Sequence, residues 1–400
     1  LVVFALGSLV CALSSSIAVL VAGRAIQGLA AAVFPLAFGI IRDEFPPERV
    51  ATGIGLISAT FGIGGGAGLV LSGVIVDNLA YEWIFWLGLV FIAVAIVATF
   101  LWIPESPIKS PARIDWIGAG LLSATLVSLL VGVSEANSWG WGSPPILALF
   151  AGAVVLGAAW VAFERRQAEP LVDIAMMRER AVATTNLTAL LVGFGMFGSF
   201  ILIPQLVQTP QASGFGFGAT VTQAGVFMAP SALMMLFAGP LAGWLGSRYG
   251  SRLPLLIGTA VGSASFVLLL LTYDSRLGIY FASATLGLGI GFAFASMANL
   301  VVEAVHPSRT GVATGMNTIM RTIGGSLGGQ IAASIVAAHV ALATGLPQAA
   351  GFELAFVVSA VGMAGAFVAA LAIPRRLAYS PARHAPAPAG SAGEPVLAAE

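Results

Sequence analysis

Two arginines in this 400-residue chain lie where arginine is rare. Arg24 sits in LVAGRAIQGLAAA and Arg321 in NTIMRTIGG, each inside a long run of apolar and small residues. A guanidinium does not lose its proton, and near the centre of a membrane helix it costs about 2.5–3.5 kcal/mol on insertion scales. Such a residue turns to the protein interior, where it bonds a neighbouring helix, balances a carboxylate or holds an anionic group. Arg24, Gln27, Gly28 and Ala31 recur at spacings of three, four and seven, so one helix face carries a cation, an amide and small residues. Asn317 precedes Arg321 by one turn and makes a second polar patch. Acidic partners are scarce: Asp77, Glu82, Asp115 and Glu303 all fall at the ends of apolar runs, which reads as interfacial. His306, His339 and His384 are far apart and lack metal-ligand spacing, so no metal or other cofactor is expected. No GxxxxGK[ST] phosphate loop is present, and no nucleophile, base or metal constellation of an enzyme.

The elements that must position these residues are apolar runs of about twenty residues, the length that matches a ~30 Å hydrocarbon core. Charged residues are 8% of the chain and mean hydropathy is +0.98. In lipid, backbone groups must be satisfied within the segment, so each run is a helix and the fold class is an all-α polytopic membrane protein. Twelve spans are expected, near 1–16, 17–41, 50–76, 83–103, 114–134, 145–163, 182–207, 219–245, 254–273, 277–302, 311–338 and 353–373. One set of gaps collects Arg42, Arg49, Lys109, Arg113, Arg165, Arg166, Arg178, Arg180, Arg248, Arg252, Arg309 and the tail arginines 375, 376 and 383. The opposite set collects Arg276. The positive-inside rule makes the first set cytoplasmic and, with an even number of spans, both ends as well.

A formal net charge of zero, with arginines scattered over loops, argues against a nucleic-acid partner. The single Cys11 excludes an internal disulfide framework and reads as a small apolar helix residue. The 49 glycines recur at helical spacing, which in lipid marks helices in close contact. Phe194, Phe197 and Phe200 form a stripe that reads as packing, Trp139 and Trp141 as interfacial anchors, and Pro204, Pro230 and Pro240 as candidate helix breaks.

The third span opens PERVATGIGLISATFGIGGGAG from Pro47 and the eleventh PSRTGVATGMNTIMRTIGGSLG from Pro307. Each gives Pro-x-Arg, then Ala-Thr-Gly, then a Gly nine residues on, at Gly53 and Gly62 and at Gly315 and Gly324. Parallel copies suggest two halves related by an axis along the membrane normal, with substrate sites between them. The expected divisions are an N-terminal bundle, 1–103; a central pair with its charged linkers, 104–180; a C-terminal six-helix bundle, 181–376; and a disordered tail, 377–400.

Three segments resemble motifs of the major facilitator superfamily. Leu20, Arg24, Gln27, Gly28, Ala31 and Ala32 match its fourth-helix motif, with Ala30 in place of a Gly. Gly243, Leu245, Arg248, Gly250 and Arg252 match its cytoplasmic loop motif, with Ser247 where Asp is usual. Gly64, Gly68 and Gly73 match its antiporter motif, with Leu69 replacing Pro and Ser72 replacing Gly. Together with the central pair this is similar to the fourteen-helix drug:proton antiporter group without its first two helices. Because the chain begins inside an apolar run, the resemblance implies that those helices, a first loop motif and a membrane Asp precede Leu1.

The resemblance further implies a monomeric, multi-pass inner-membrane exporter of hydrophobic, often cationic compounds, driven by protons and working by alternating access. In it Arg24, Gln27, Arg321 and Asn317 are the candidates for proton coupling or substrate binding. The alternatives are export of a lipid, siderophore or metabolite on the same fold, and a non-transporting scaffold or sensor.

Overall fold

The computed structural model describes residues 1–30, 33–103, 115–167, 172, 174–306, 309–341 and 344–374. The linker cations Lys109 and Arg113, the motif residues Ala31 and Ala32, Pro307 of the repeat and the tail from residue 375 onward lie outside them. The apolar runs fold as α1 (Val2–Ala12), α2 (Ile17–Gly28), α3 (Val33–Glu44), α4 (Pro47–Asn78), α5 (Glu82–Trp102), α6 (Trp116–Trp139) and α7 (Pro144–Glu164). After a short α8 (Ile174–Arg178) come α9 (Arg180–Gln208), α10 (Val221–Tyr249), α11 (Arg252–Thr272), α12 (Arg276–Ala304), α13 (Thr310–Ala338) and α14 (Ala349–Leu371).

Among the described residues ten helical stretches are long and apolar enough to cross a membrane, with Ile17–Glu44 counted as one. The protein is therefore an all-α polytopic membrane protein of two bundles and an added helix pair. Three of the expected twelve spans differ in detail. The first is an 11-residue helix, α1. The second is one run in sequence but two helices, because the last turn of α2 tightens to three-residue bonds, Leu29 N–H to Ile26 and Ala30 N–H to Gln27. The eleventh, α13, has the length but not the hydropathy, since Asn317, Arg321, Gln330 and four threonines, Thr310, Thr314, Thr318 and Thr322, dilute it.

Local chemistry sets several ends. Thr220 and Gln223 form a capping box on α10, Asp115 accepts from the Gly118 N–H on α6, and Pro47 and Pro144 open α4 and α7 at positions whose N–H needs no partner. Pro204, Pro230 and Pro240 do not break α9 or α10, which run through them.

In the C-terminal bundle α12 is buried along most of its length by α9, α10, α11 and α13, with α4 also against it, and α14 packs outside on α9, α11 and α13. Phe266, Phe352, Phe356, Met196 and Met228 fill that core completely. The stripe on α9 is packing: the Phe197 ring lies against Gly325 of α13, and the Phe194 ring against Gly362 of α14. The added pair, α6 and α7, leans on α13 through Leu121, Leu122 and Trp160 against Met316 and Ile319, with Gln330 donating to the Ser134 carbonyl at 3.0 Å. By contrast α5 buries none of its residues and is an outer wall.

Two arginines close the end of α14. Arg180 donates to the Ala372 carbonyl at 3.2 Å and Arg252 to Leu371 at 2.6 Å, satisfying carbonyls that the helix leaves free. At the opposite end of the bundle Tyr273 donates to Glu353 at 2.7 Å, and that bond, with burial and the nearby negative charge, pushes the phenol up to about 12.

The bundles join mainly through α4 and α10, which run antiparallel in contact along their full lengths. The α4 face is Gly55, Gly62, Gly66 and Gly73, spaced seven, four and seven, and it meets Gly239, Met235, Ala232 and Thr222. A methyl group at Gly73 would lie 2.7 Å from the Thr222 Cα, and at Gly66 it would overlap the Ala232 side chain. We expect Gly66→Ala to destabilise the protein by about 1–3 kcal/mol through overpacking. Thermal denaturation in detergent should show the loss, and Ala232→Gly added to the same chain should recover most of it. An unchanged midpoint in the single variant would contradict so close an approach.

Candidate functional site

The polar patch on α13 opens into a cavity between the bundles. Residues 314, 317, 318 and 321 fall at spacings of three, four and seven, so Thr314, Asn317, Thr318 and Arg321 share one helix face. Opposite them stand Phe34 and Phe38 of α3, Ser58 and Phe61 of α4, and Phe294 and Ala298 of α12. In this arrangement of the bundles the room these side chains leave is small, about 20 Å³.

Its aromatic wall is continuous. Phe34 and Phe61 have ring centroids 5.5 Å apart, and Phe61 meets Phe294 edge to face at 5.2 Å. The Arg321 guanidinium lies over the Phe294 ring, 4.3 Å from its centroid. Among the described residues Arg321 makes no hydrogen bond or ion pair, and no carboxylate lines the cavity. Asn317 is buried and donates at 3.0 Å to Asn186 of α9, whose own amide donates to the Met177 sulfur at 3.5 Å. One amide thus ties α13 to α9 while Asn317 still borders the cavity.

Arg24 and Gln27 stand elsewhere, and neither lines the cavity. Arg24 donates to Gln27 at 2.7 Å, Gln27 donates to Ser8 of α1 at 2.7 Å, and Ser8 donates to the Phe4 carbonyl at 2.9 Å. This polar chain crosses from α2 to α1 at their closest approach, where a methyl at Gly7 would lie 2.7 Å from the Gln27 nitrogen. Arg24 itself is exposed at the surface of this chain.

The glycine motifs also divide. Gly73 is in the α4–α10 contact, whereas Gly64 and Gly68 face open space. The packing face continues instead through Gly62 and Gly66, which share a helix side with Gly73. In the loop motif Gly243 packs on the Ala51 carbonyl, and Gly250 turns the chain at φ +85°. Arg248 lies against Trp244 and Tyr249, and Arg252 holds the end of α14. Ser247 donates to the Trp244 carbonyl at 2.9 Å, a bond inside its own helix.

A functional residue that sequence reasoning took only as a marker of sidedness is Arg42. It ends α3 and donates across the bundle boundary to the Thr310 hydroxyl and, at 3.0 Å, to the Val305 carbonyl. Beside it Asn299 donates to the Ala51 carbonyl at 3.3 Å, and Phe38, Ile41, Ile54, Ala298 and Val302 form a small apolar plug. The arginine-rich end of the cavity is therefore closed in this structure. The cue was available: Arg42 is the last-turn cation of an otherwise apolar helix, but its partners lie more than 260 positions away.

A cavity between two helix bundles, bonded shut at one end and bordered by a cation, is the architecture of a membrane transporter. Residues 1–329 match the Major Facilitator Superfamily, and the chain belongs to that family of transporters. The tetracenomycin C resistance and export protein of Streptomyces glaucescens is 30% identical over 316 residues, covering 78% of this chain and 57% of that protein. Multidrug resistance protein 3 of Bacillus subtilis is 27% identical, covering 78% of this chain and 61% of that protein. The chain thus spans somewhat over half the length of these relatives. Among solved structures, the human organic anion transporter MFSD10 superposes with a TM-score of 0.61 at 18% identity, covering 92% of this chain and 75% of that one. An auto-inhibited peptide transporter gives 0.54, also at 18%, over 93% and 80%. At these identities the likeness is one of fold.

The closed end is testable. Removing a hydrogen bond to a charged group is worth about 1.5–3 kcal/mol, a shift of about tenfold or more in an open population. With Cys11 replaced by Ser, Thr314→Cys should react with an impermeant maleimide from the arginine-rich side much faster when Arg42→Ala is added. Equal labelling rates would show that Arg42 does not hold this end closed.

Proposed function

We propose that this protein exports hydrophobic, drug-like compounds across a bacterial inner membrane in exchange for protons. The cavity between the bundles carries this function. Its walls are mainly aromatic with a few polar groups, Ser58, Thr314, Thr318, Asn317 and Arg321, a lining suited to apolar ligands once the bundles part and widen it. The bundles, residues 1–103 and 181–376, would rock about the α4–α10 contact, and the pair within 104–180 would move with α13, on which it leans. Breaking the Arg42 bonds would open the end that the arginine pattern assigns to the cytoplasm. The relatives named for drug resistance and export support a drug-like cargo.

An ion gradient is the natural energy source, since the chain contains no GxxxxGK[ST] phosphate loop. Arg24 is the proposed coupling residue. Its bond to Gln27, and onward to Ser8, lets a change in the charge facing Arg24 alter the fit between α2 and α1. We assign the working unit as a monomer, because the cavity is formed within one chain.

The test uses the full-length protein in proteoliposomes with an imposed pH gradient and a panel of lipophilic dyes, cationic, neutral and anionic. Gradient-dependent movement of at least one dye is expected. Arg24→Ala should reduce it at least about tenfold, the loss of a coupling interaction of about 1.4 kcal/mol or more, while the protein still elutes as a single folded species. Absence of gradient-dependent movement for every dye would rule the exporter out.

A further inference from the structure

The charge of the cavity specifies its cargo more narrowly. We propose that the site between the bundles selects aromatic compounds that carry an anionic group, with the anion on Arg321 and the ring against Phe61 and Phe294. This rests on the transport reading above and deepens it.

Arg321 is the sole charged side chain among the cavity-lining residues, and it has no counter-charge there. Its guanidinium keeps its proton, offers five N–H donors in a planar fork, and spends none of them on a protein acceptor among the described residues. The Phe294 ring at 4.3 Å satisfies one face of the cation through its π-electrons but accepts none of the in-plane N–H groups. A carboxylate, sulfonate or phenolate matches that fork, and away from bulk water such a pairing is stronger than at a surface. The remaining walls suit the rest of such a molecule. Phe34, Phe61 and Phe294 follow one another at 5.5 and 5.2 Å with their planes inclined by 58° and 62°, an angled aromatic wall that offers ring faces and edges to an aromatic group. Ser58, Thr314 and Thr318 each donate to a carbonyl of their own helix and leave oxygen lone pairs that can accept from a phenol or amide N–H.

A cationic cargo fits poorly. It would enter a small, weakly screened space beside a fixed positive charge, with no acidic side chain lining that space among the described residues. The expectation of cationic drugs, taken from resemblance, thus meets a site of the wrong sign.

Three fluorescent probes of one shape separate the possibilities: anthracene-9-carboxylate, 9-anthracenemethanol and 9-(aminomethyl)anthracene. Binding is read by fluorescence anisotropy on the full-length protein in phosphatidylcholine nanodiscs, and movement in proteoliposomes under a pH gradient. We expect the carboxylate to bind at least about tenfold more tightly than the ammonium, with the alcohol between them. Arg321→Gln should remove the preference for the carboxylate while the alcohol's affinity stays within about threefold, and Arg321→Lys should keep part of it. The wild-type ranking alone decides the matter if Arg321→Gln does not fold. Preferential binding of the ammonium, or equal binding of all three, overturns the anion assignment but leaves the exporter standing. If none of the three binds while another dye moves with the gradient, the anion assignment again fails alone. If nothing moves with the gradient, the transport reading fails as well.

Discussion

At Gly66 the backbone of α4 passes so close to Ala232 of α10 that there is no space for a methyl group, and Gly55, Gly62 and Gly73 continue that closeness along the helix. In lipid, helices gain nothing by hiding apolar surface from water, because the surroundings are equally apolar. What holds two bundles together is then the contact that close backbones permit: dispersion between well-packed atoms and weak Cα–H to carbonyl attractions. Gly55 lies against the Gly239 carbonyl and Gly243 against that of Ala51, so both helices contribute glycines to the same seam. The bundle spacing follows from this seam, and so does the width of the cavity bordered by α4 on one side and by α12 and α13 on the other. The knobs in this seam come from α10, whose Met235 and Ala232 side chains fill the room that Gly62 and Gly66 leave.

Within that cavity the chief electrostatic fact is a cation without an anion. A guanidinium withdrawn from water forfeits hydration that one aromatic face only partly replaces. The protein accepts this cost on a helix already made less apolar by Asn317 and its threonines. Asn317 is engaged with Asn186 and holds α13 against α9, which fixes where the Arg321 side chain begins. A strongly positioned helix carrying an incompletely satisfied charge is the usual mark of a site whose partner arrives from outside.

Much of the fold was legible in the sequence because the bilayer imposes so simple a rule. Runs of apolar residues gave the long helices, and the cost of placing a guanidinium in one drew attention to Arg321, which borders the cavity, whereas Arg24, expected to turn inward by the same reasoning, is exposed. Pairings were harder to read. Glycine spacing on α4 offered two overlapping stripes, one through Gly64 and Gly68 and another through Gly62, Gly66 and Gly73, and only the position of α10 separates them. The break between α2 and α3 had a cue in Pro35, in the first turn of α3, but the unbroken apolar run hid it, and the last turn of α2 tightens ahead of it. Phe34 and Phe61 stand on the consecutive helices α3 and α4, but Phe294 comes from α12 in the other half of the chain, so no local pattern could gather the three into one wall. Arg42 looked like any loop cation because its acceptors at Val305 and Thr310 are contributed by the other bundle.

The same double meaning extends to Arg180 and Arg252. In the sequence they count toward the charge bias of one membrane face, yet in the structure they hold the last carbonyls of α14. A topology signal that depended only on total charge could drift freely among loop positions. Here two of its elements are bound to fixed acceptors on a distant helix, so the same charges also form the clasp that finishes α14. Moving either one along its loop would leave a terminal carbonyl of α14 without its donor.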